Sequence, residues 1–256
     1  MSKTEEFISH LAEGQKYKKD SIILGTGILD GVPVSGAQIK IALKTMNRHG
    51  LIAGATGTGK TKTLQVIAEQ LALKGVPSVL MDLKGDLSGL AQPGTANDFI
   101  KNRSQVIGVD YVPIGLPIEL MSISDEKGVR LKASVSEFGP VLISQILELN
   151  DTQQGVISLI FRYCDINHYP LVDLKDLKRV LQFITNEGKE AIQKEFGQVS
   201  AASVNTIMRK IIELEQQGAE RFFGEKSFDV EDFVRVKDGK GMISVIRLTD
   251  IQSRPK

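Results

Sequence analysis

The chain has no tryptophan, one cysteine and only three histidines. With Cys164 alone, no intrachain disulfide can form, which fits a reducing compartment. The residue sits in "LIFRYCDI", an apolar and helical-looking context, and reads as a small core residue rather than a nucleophile. His10, His49 and His168 are scattered, and no Cys/His spacing suits a metal site. Long apolar runs are missing too, so no membrane span is expected. The N-terminus, "MSKTEEFISHLAEG", is polar and charged, unlike a secretory signal. These shortages predict a soluble, cytoplasmic protein. Charge excess is also lacking: 32 Lys and Arg stand against 31 Asp and Glu, a net charge of +1. That gives no global attraction to nucleic acid or membrane. The basic runs at Lys16–Lys19 and in "VRVKDGK" are short and read as solvated surface.

What remains is an ordinary globular composition, 41% hydrophobic and 25% charged over 256 residues. It suits one large domain or two small ones. Residues 3–13 carry Phe7, Ile8 and Leu11 on one helical face. "SIILGTGILDG" reads as a brief strand and a Gly-rich turn. Gly25, Gly27 and Gly31 miss the dinucleotide fingerprint, because the third glycine falls one place late. "AQIKIALKTM" alternates as a half-buried strand does. "HGLIAG" reads as a short buried strand, "KTLQVIAEQLALKG" as an amphipathic helix and "PSVLMD" as a second buried strand. This order is a βαβ unit of a parallel sheet. A short helix in "NDFIKNRS" and a further strand in "VIGVDYVPI" are expected next.

From residue 134 helical patterns dominate. Ser134 with Glu137 forms a candidate capping box, and Asn150 and Asp151 are capping residues. Leu174, Leu177, Val180, Leu181 and Ile184 share one face, as do Val204, Ile207, Met208, Ile211 and Leu214. These read as core of a helical subdomain. Strand character returns in "KGMISVIRL". The expected organisation is a core over 1–133, a helical insertion over 134–235 and a return strand of the core over 236–256.

Chemistry concentrates in "GATGTGKT". Gly54, Gly59, Lys60 and Thr61 complete the pattern G-x-x-x-x-G-K-[ST] between an expected strand and an expected helix. Glycines let successive backbone N–H groups curl around phosphate oxygens. The helix start adds its positive end to the same place. Lys60 should reach the β- and γ-phosphates of ATP, and the Thr61 hydroxyl should sit on Mg²⁺. Thr56, Gly57, Thr58 and Lys62 complete the nucleotide-binding stretch. His49, at the entrance to the loop, reads as a strand-end residue or a brace for it.

Hydrolysis further requires a carboxylate for Mg²⁺ and a group that orients water. Such carboxylates end buried strands, facing the ligand crevice. Asp82, Asp110 and Asp250 fit an apolar run followed by Asp. None of the three is followed by Glu, and a strand-end Asp-Glu pair is expected to be absent from the chain. In "DLKGDLSGLAQ", Asp82, Lys84 and Asp86 are expected near the phosphate end of the sheet, in metal support or water positioning. "LSGLAQ" departs from the ABC-transporter signature at Leu90 and lies too close to the loop. No lid arginines follow the loop, which disfavours a small-molecule kinase.

"NRHGLIAGATGTGKTKTLQ", "MDLKGDLSGLAQPG" and "ELNDTQQGVISLIFRYCD", in that order, resemble the HerA-like bacterial P-loop ATPases of the HerA/FtsK motor group. The resemblance implies an α/β RecA-like P-loop NTPase core with a mainly parallel sheet and an inserted helical subdomain. It implies Lys60 and Asp86 as catalytic residues, and Thr61 and Asp82 at Mg²⁺. It implies a hexameric ring of like chains and DNA as a partner, as in a DNA translocase. In that family the chain continues through a helix to an apolar strand ending in Asp-Glu. The present sequence is therefore expected to be the N-terminal part of a longer protein. The alternative reading is a nucleotide-binding module without turnover, since the Asp-Glu pair is missing.

Overall fold

The computed structural model describes residues 1–249. In chain order the elements are α1 (Lys3–Gly14), β1 (Ser21–Leu29), β2 (Val32–Ala42), α2 (Lys60–Leu73), β3 (Ser78–Asp82), α3 (Asp98–Ile107), β4 (Ile118–Ser122), β5 (Val129–Arg130), α4 (Val135–Ile146), α5 (Asp151–Asn167), α6 (Leu174–Thr185), α7 (Lys189–Phe196), α8 (Ala201–Gln216), β6 (Val236–Lys237), β7 (Lys240–Gly241) and β8 (Ile243–Arg247). The fold is α/β, with a parallel sheet in the order β3-β8-β4-β5. Two compact units divide the chain. One holds residues 1–120 and 231–245, the other 121–230 and 246 onward. The helical block expected over 134–235 thus falls within the second unit except for its last five residues.

In the first unit, Ser2 and Glu5 close a capping box on α1. β1 and β2 pair antiparallel around Asp30 and Gly31, both at positive φ. Asp-Gly is the dipeptide that suits a tight hairpin whose central residues are left-handed. The turn therefore lies at residues 30–31, and Gly25 and Gly27 belong to the strand itself. Gly27 is required by close approach, since a Cβ there would lie 2.9 Å from Phe7 and Leu11 of α1. β2 begins earlier than the alternation suggested and gives way to a 3-10 turn at Leu43–Thr45. The Gln70 carboxamide on α2 binds both backbone groups of Ile23, accepting from its N–H at 2.7 Å and donating to its carbonyl. A small core of Ala68, Ala72, Leu80, Leu87, Ile243 and Val245 joins α2 to the sheet.

Three expectations for this unit are corrected. Residues 49–54 form no strand, and Leu51 is 89% exposed. An apolar run becomes a strand only where a neighbour completes its ladder, and no strand pairs with it among the described residues. β3 is half-buried rather than buried: Leu80 and Asp82 point inward while Val79 and Met81 are exposed. It ends the sheet order, so one of its edges also has no partner strand among the described residues. Residues 108–114 are irregular, and the strand expected there is instead β4, at Ile118–Ser122. Pro113 lacks an N–H donor, which disfavours a ladder at that point.

The second unit is mainly helical. Ser134 and Glu137 form the expected capping box of α4. That helix breaks at Gly139, φ 73°, followed by Pro140, as the pyrrolidine ring requires. Asn150 caps α5, with Gln153 as reciprocal partner. Leu174, Leu177, Leu181 and Ile184 of α6 face Val204, Ile207, Ile211 and Leu214 of α8 in one buried cluster. α7 arises from a stretch in which no element was anticipated. Cys164 is 2% exposed inside this cluster, and burial pushes its thiol up to about 11. It is a core residue, as its apolar context implied. Among the described residues no helix is long and apolar enough to cross a membrane.

Candidate nucleotide-binding site

The loop leading into α2 is built to be vacated by side chains. Gly57 and Gly59 take φ of 82° and 99°, a region that favours glycine. Gly59 is the N-cap of α2, and no side chain caps the helix there. The first helical bond runs from Thr63 N–H to the Gly59 carbonyl at 2.9 Å. The preceding amides of the first turn therefore face out of the helix start, where an anion is favoured. A Cβ at Gly54 would lie 2.5 Å from the Thr58 hydroxyl. Bulk at that position would push Thr58 out of the loop.

The loop is folded on one of its own carbonyls. Ala55 O accepts from Thr58 Oγ1 at 2.8 Å, from Lys60 Nζ at 2.7 Å and, more weakly, from Thr58 N–H at 3.4 Å. Lys60 thus has an oxygen partner that a phosphate oxygen would replace with a charged one. Thr56, Gly57 and Thr58 are exposed, while Gly59, Lys60 and Thr61 are half-buried. Lys62 extends along the helix, donating to Gln65 Oε1 at 3.0 Å. His49 is exposed, and no bond connects it to the loop.

Asp82, expected at the metal, is buried with both carboxylate oxygens hydrogen-bonded to backbone amides. Its side chain is 1% exposed, and three backbone amides occupy its oxygens. Lys84 and Gly85 donate to Oδ1 at 3.2 and 2.7 Å, and Leu87 donates to Oδ2 at 3.1 Å. A carboxylate taken up by three amides organises the turn at 83–87. That turn carries Asp86, which is exposed. Gln65 Nε2 donates to the Asp86 carbonyl at 2.8 Å and fastens the turn to α2. Thr61 and Gln65 are four residues apart and share one helix face. The turn that Asp82 organises is thus tied at the Asp86 carbonyl to Gln65, on the helix face that also carries Thr61.

The other carboxylates separate. Asp110 lies in the irregular segment after α3, away from any strand end. Asp250 lies outside the described residues. The chain carries one Asp-Glu dipeptide, Asp125–Glu126. It stands three residues past β4 and so is not the strand-end pair whose absence was expected. Both residues are tied to arginines of the second unit: Asp125 to Arg221, and Glu126 to Arg247 at 2.7 Å. Among the described residues no group of three His, Cys, Asp or Glu side chains could hold a metal ion. Mg²⁺ on a nucleotide needs no such cage, because phosphates and water supply most of its oxygens.

Nothing among curated proteins matches the chain. Two structures of the bacterial conjugative coupling protein TrwBdeltaN70 are similar to it, an unbound monoclinic form and a trigonal form in complex with sulphate. Each is 14% identical with a TM-score of 0.49 and covers 95% of this chain. The chain covers 54% and 53% of theirs, about half their length. The family model described as "Helicase HerA-like C-terminal" matches residues 29–256. With so much of its length matched, the chain belongs to the HerA-like family of P-loop ATPases.

Proposed function

We propose that the chain binds Mg-ATP at Gly54–Lys62 and forms the nucleotide-binding part of a DNA-translocating motor. The observation that carries this reading is the uncapped start of α2 beside Lys60, whose ammonium donates to the Ala55 carbonyl of the loop. Backbone amides of the loop and first turn would hold the phosphates, and Lys60 would pair with the β- and γ-oxygens. Thr61 would hold Mg²⁺, which when bound neutralises charge on those oxygens. Asp86, on the turn fastened to Gln65, is the carboxylate best placed to support metal or water. Family membership supports a motor built as a hexameric ring on DNA in the cytoplasm. The test is nucleotide affinity and turnover, with and without DNA, for the chain and for Lys60→Ala. Binding lost in the variant is expected. Undiminished binding in Lys60→Ala would sink the assignment.

A second reading is favoured by a specific observation. Asp82 and Asp125–Glu126 are all engaged in structural bonds. These residues alone would then hold ATP without rapid turnover. Tight Mg-ATP binding with negligible hydrolysis supports that reading, and steady turnover that is lost in Asp86→Asn excludes it.

A further inference from the structure

The first unit has a second concavity, on α2 but distant from the phosphate loop. Glu69 lines it, about 13 Å along the helix axis from Lys60 at 1.5 Å per residue. Its floor is formed by Ile23 of β1 and Ile100 of α3, and its volume is about 260 Å³. Five large apolar side chains that line this cavity are exposed: Val66, Phe99, Val109, Tyr111 and Val112. Phe99 is 76% exposed although α3 could have turned it inward. Exposed apolar residues scattered singly need no explanation, but five around one cavity mark a contact surface.

The charges of the same cavity select the partner. Glu69 and Asp110 line it against one cation, Arg103. None of the three takes part in an ion pair among the described residues. The Glu69 carboxyl is half-buried beside apolar walls, and this burial raises it above the usual carboxylate range. A cation brought against it would recover the interaction that desolvation removes. The cavity is smaller than the roughly 300–1,000 Å³ of drug-sized ligand sites. It fits one large side chain, and the exposed collar extends contact around that anchor, as at interface hot spots.

We infer that this face docks an apolar, basic segment of a partner protein, with one aromatic or long aliphatic side chain in the cavity and a Lys or Arg against Glu69. This assignment is independent of the nucleotide reading, since it uses none of Gly54–Lys62. A random peptide phage library, panned on the 256-residue chain with counter-selection on Phe99→Asp, tests it. Phe99 is mostly exposed, so this variant should keep the melting temperature of the parent and its Mg-ATP affinity. The selected peptides should share a large apolar residue close to Lys or Arg. The synthesised consensus peptide should bind about tenfold more weakly to Phe99→Asp and about fivefold more weakly to Glu69→Gln, differences of order 1 kcal/mol. Selection of acidic peptides, or of none that depend on Phe99, overturns the inference. So does binding indifferent to Glu69→Gln. Self-association of the parent in sedimentation, abolished by Phe99→Asp, would give the face to a second copy instead. Binding of isolated indole or phenol to the parent but not to Phe99→Asp, with no peptide selected, would give it to a small ligand.

Discussion

At the residue scale, Asp82 shows how a side chain's role follows from what its oxygens already hold. Removing them leaves three amides without their acceptor; only the Leu87 amide belongs to a buried residue, and an orphaned buried group costs about 1–3 kcal/mol. Asp82→Ala should therefore destabilise the chain by about 1–3 kcal/mol in urea unfolding, while Asp82→Asn, which keeps one acceptor, should cost less. If Asp82 were instead a dedicated metal ligand, Asp82→Ala would abolish Mg²⁺ dependence and leave stability nearly unchanged. Cys164 supplies a simpler check. Its thiol is buried and pushed up to about 11, and the thiolate is the reactive form. At neutral pH it should resist a thiol reagent in the folded chain and react once urea has unfolded it. The position of Lys60 and Thr61 at the start of α2, after two left-handed glycines, was legible from spacing because it is a local feature. Asp82 was not, because its three bonds depend on how residues 83–87 turn.

At the element scale, helix starts were the most legible feature. Ser134, Asn150 and their partners three residues on mark α4 and α5 because the bonds they make are local. Ser134→Ala should cost about 1 kcal/mol, the usual worth of an N-cap, measured by unfolding. Glu137 adds a pH dependence. Bonds from Ser227 and Ser134 hold its carboxyl below the usual carboxylate range. A group lowered on folding contributes stability above its unfolded value and loses it as pH falls through the folded one. The parent should therefore lose this increment on acidification below the normal carboxylate range, and Glu137→Gln should lack that component. Strands were less legible. "HGLIAG" has the composition of a buried strand, yet 49–54 pairs with no strand among the described residues. Strand formation needs a partner that local composition does not name.

At the scale of the whole molecule, the α/β class and the helical block follow from periodicity, and the family from several motifs in order. The units divide elsewhere than the composition shift at 134 suggested, since contacts rather than helix content set the boundaries at 120/121 and 230/231. Mg-ATP should stabilise the folded chain by about 2.7 kcal/mol at a hundredfold excess over Kd. Thermal melts with Mg-ATP should thus rise for the parent and stay flat for Lys60→Ala. An equal rise in both would remove the loop from nucleotide binding.

By itself the sequence determined the caps and the helical core faces, because each rests on residues within a few positions of one another. Tertiary structure alone decided that Asp82 supports a turn, that Asp125 and Glu126 meet Arg221 and Arg247, and that five apolar side chains converge on Glu69. Those relations join positions far apart in the chain or depend on backbone turns, and only the folded backbone brings their atoms within bonding distance.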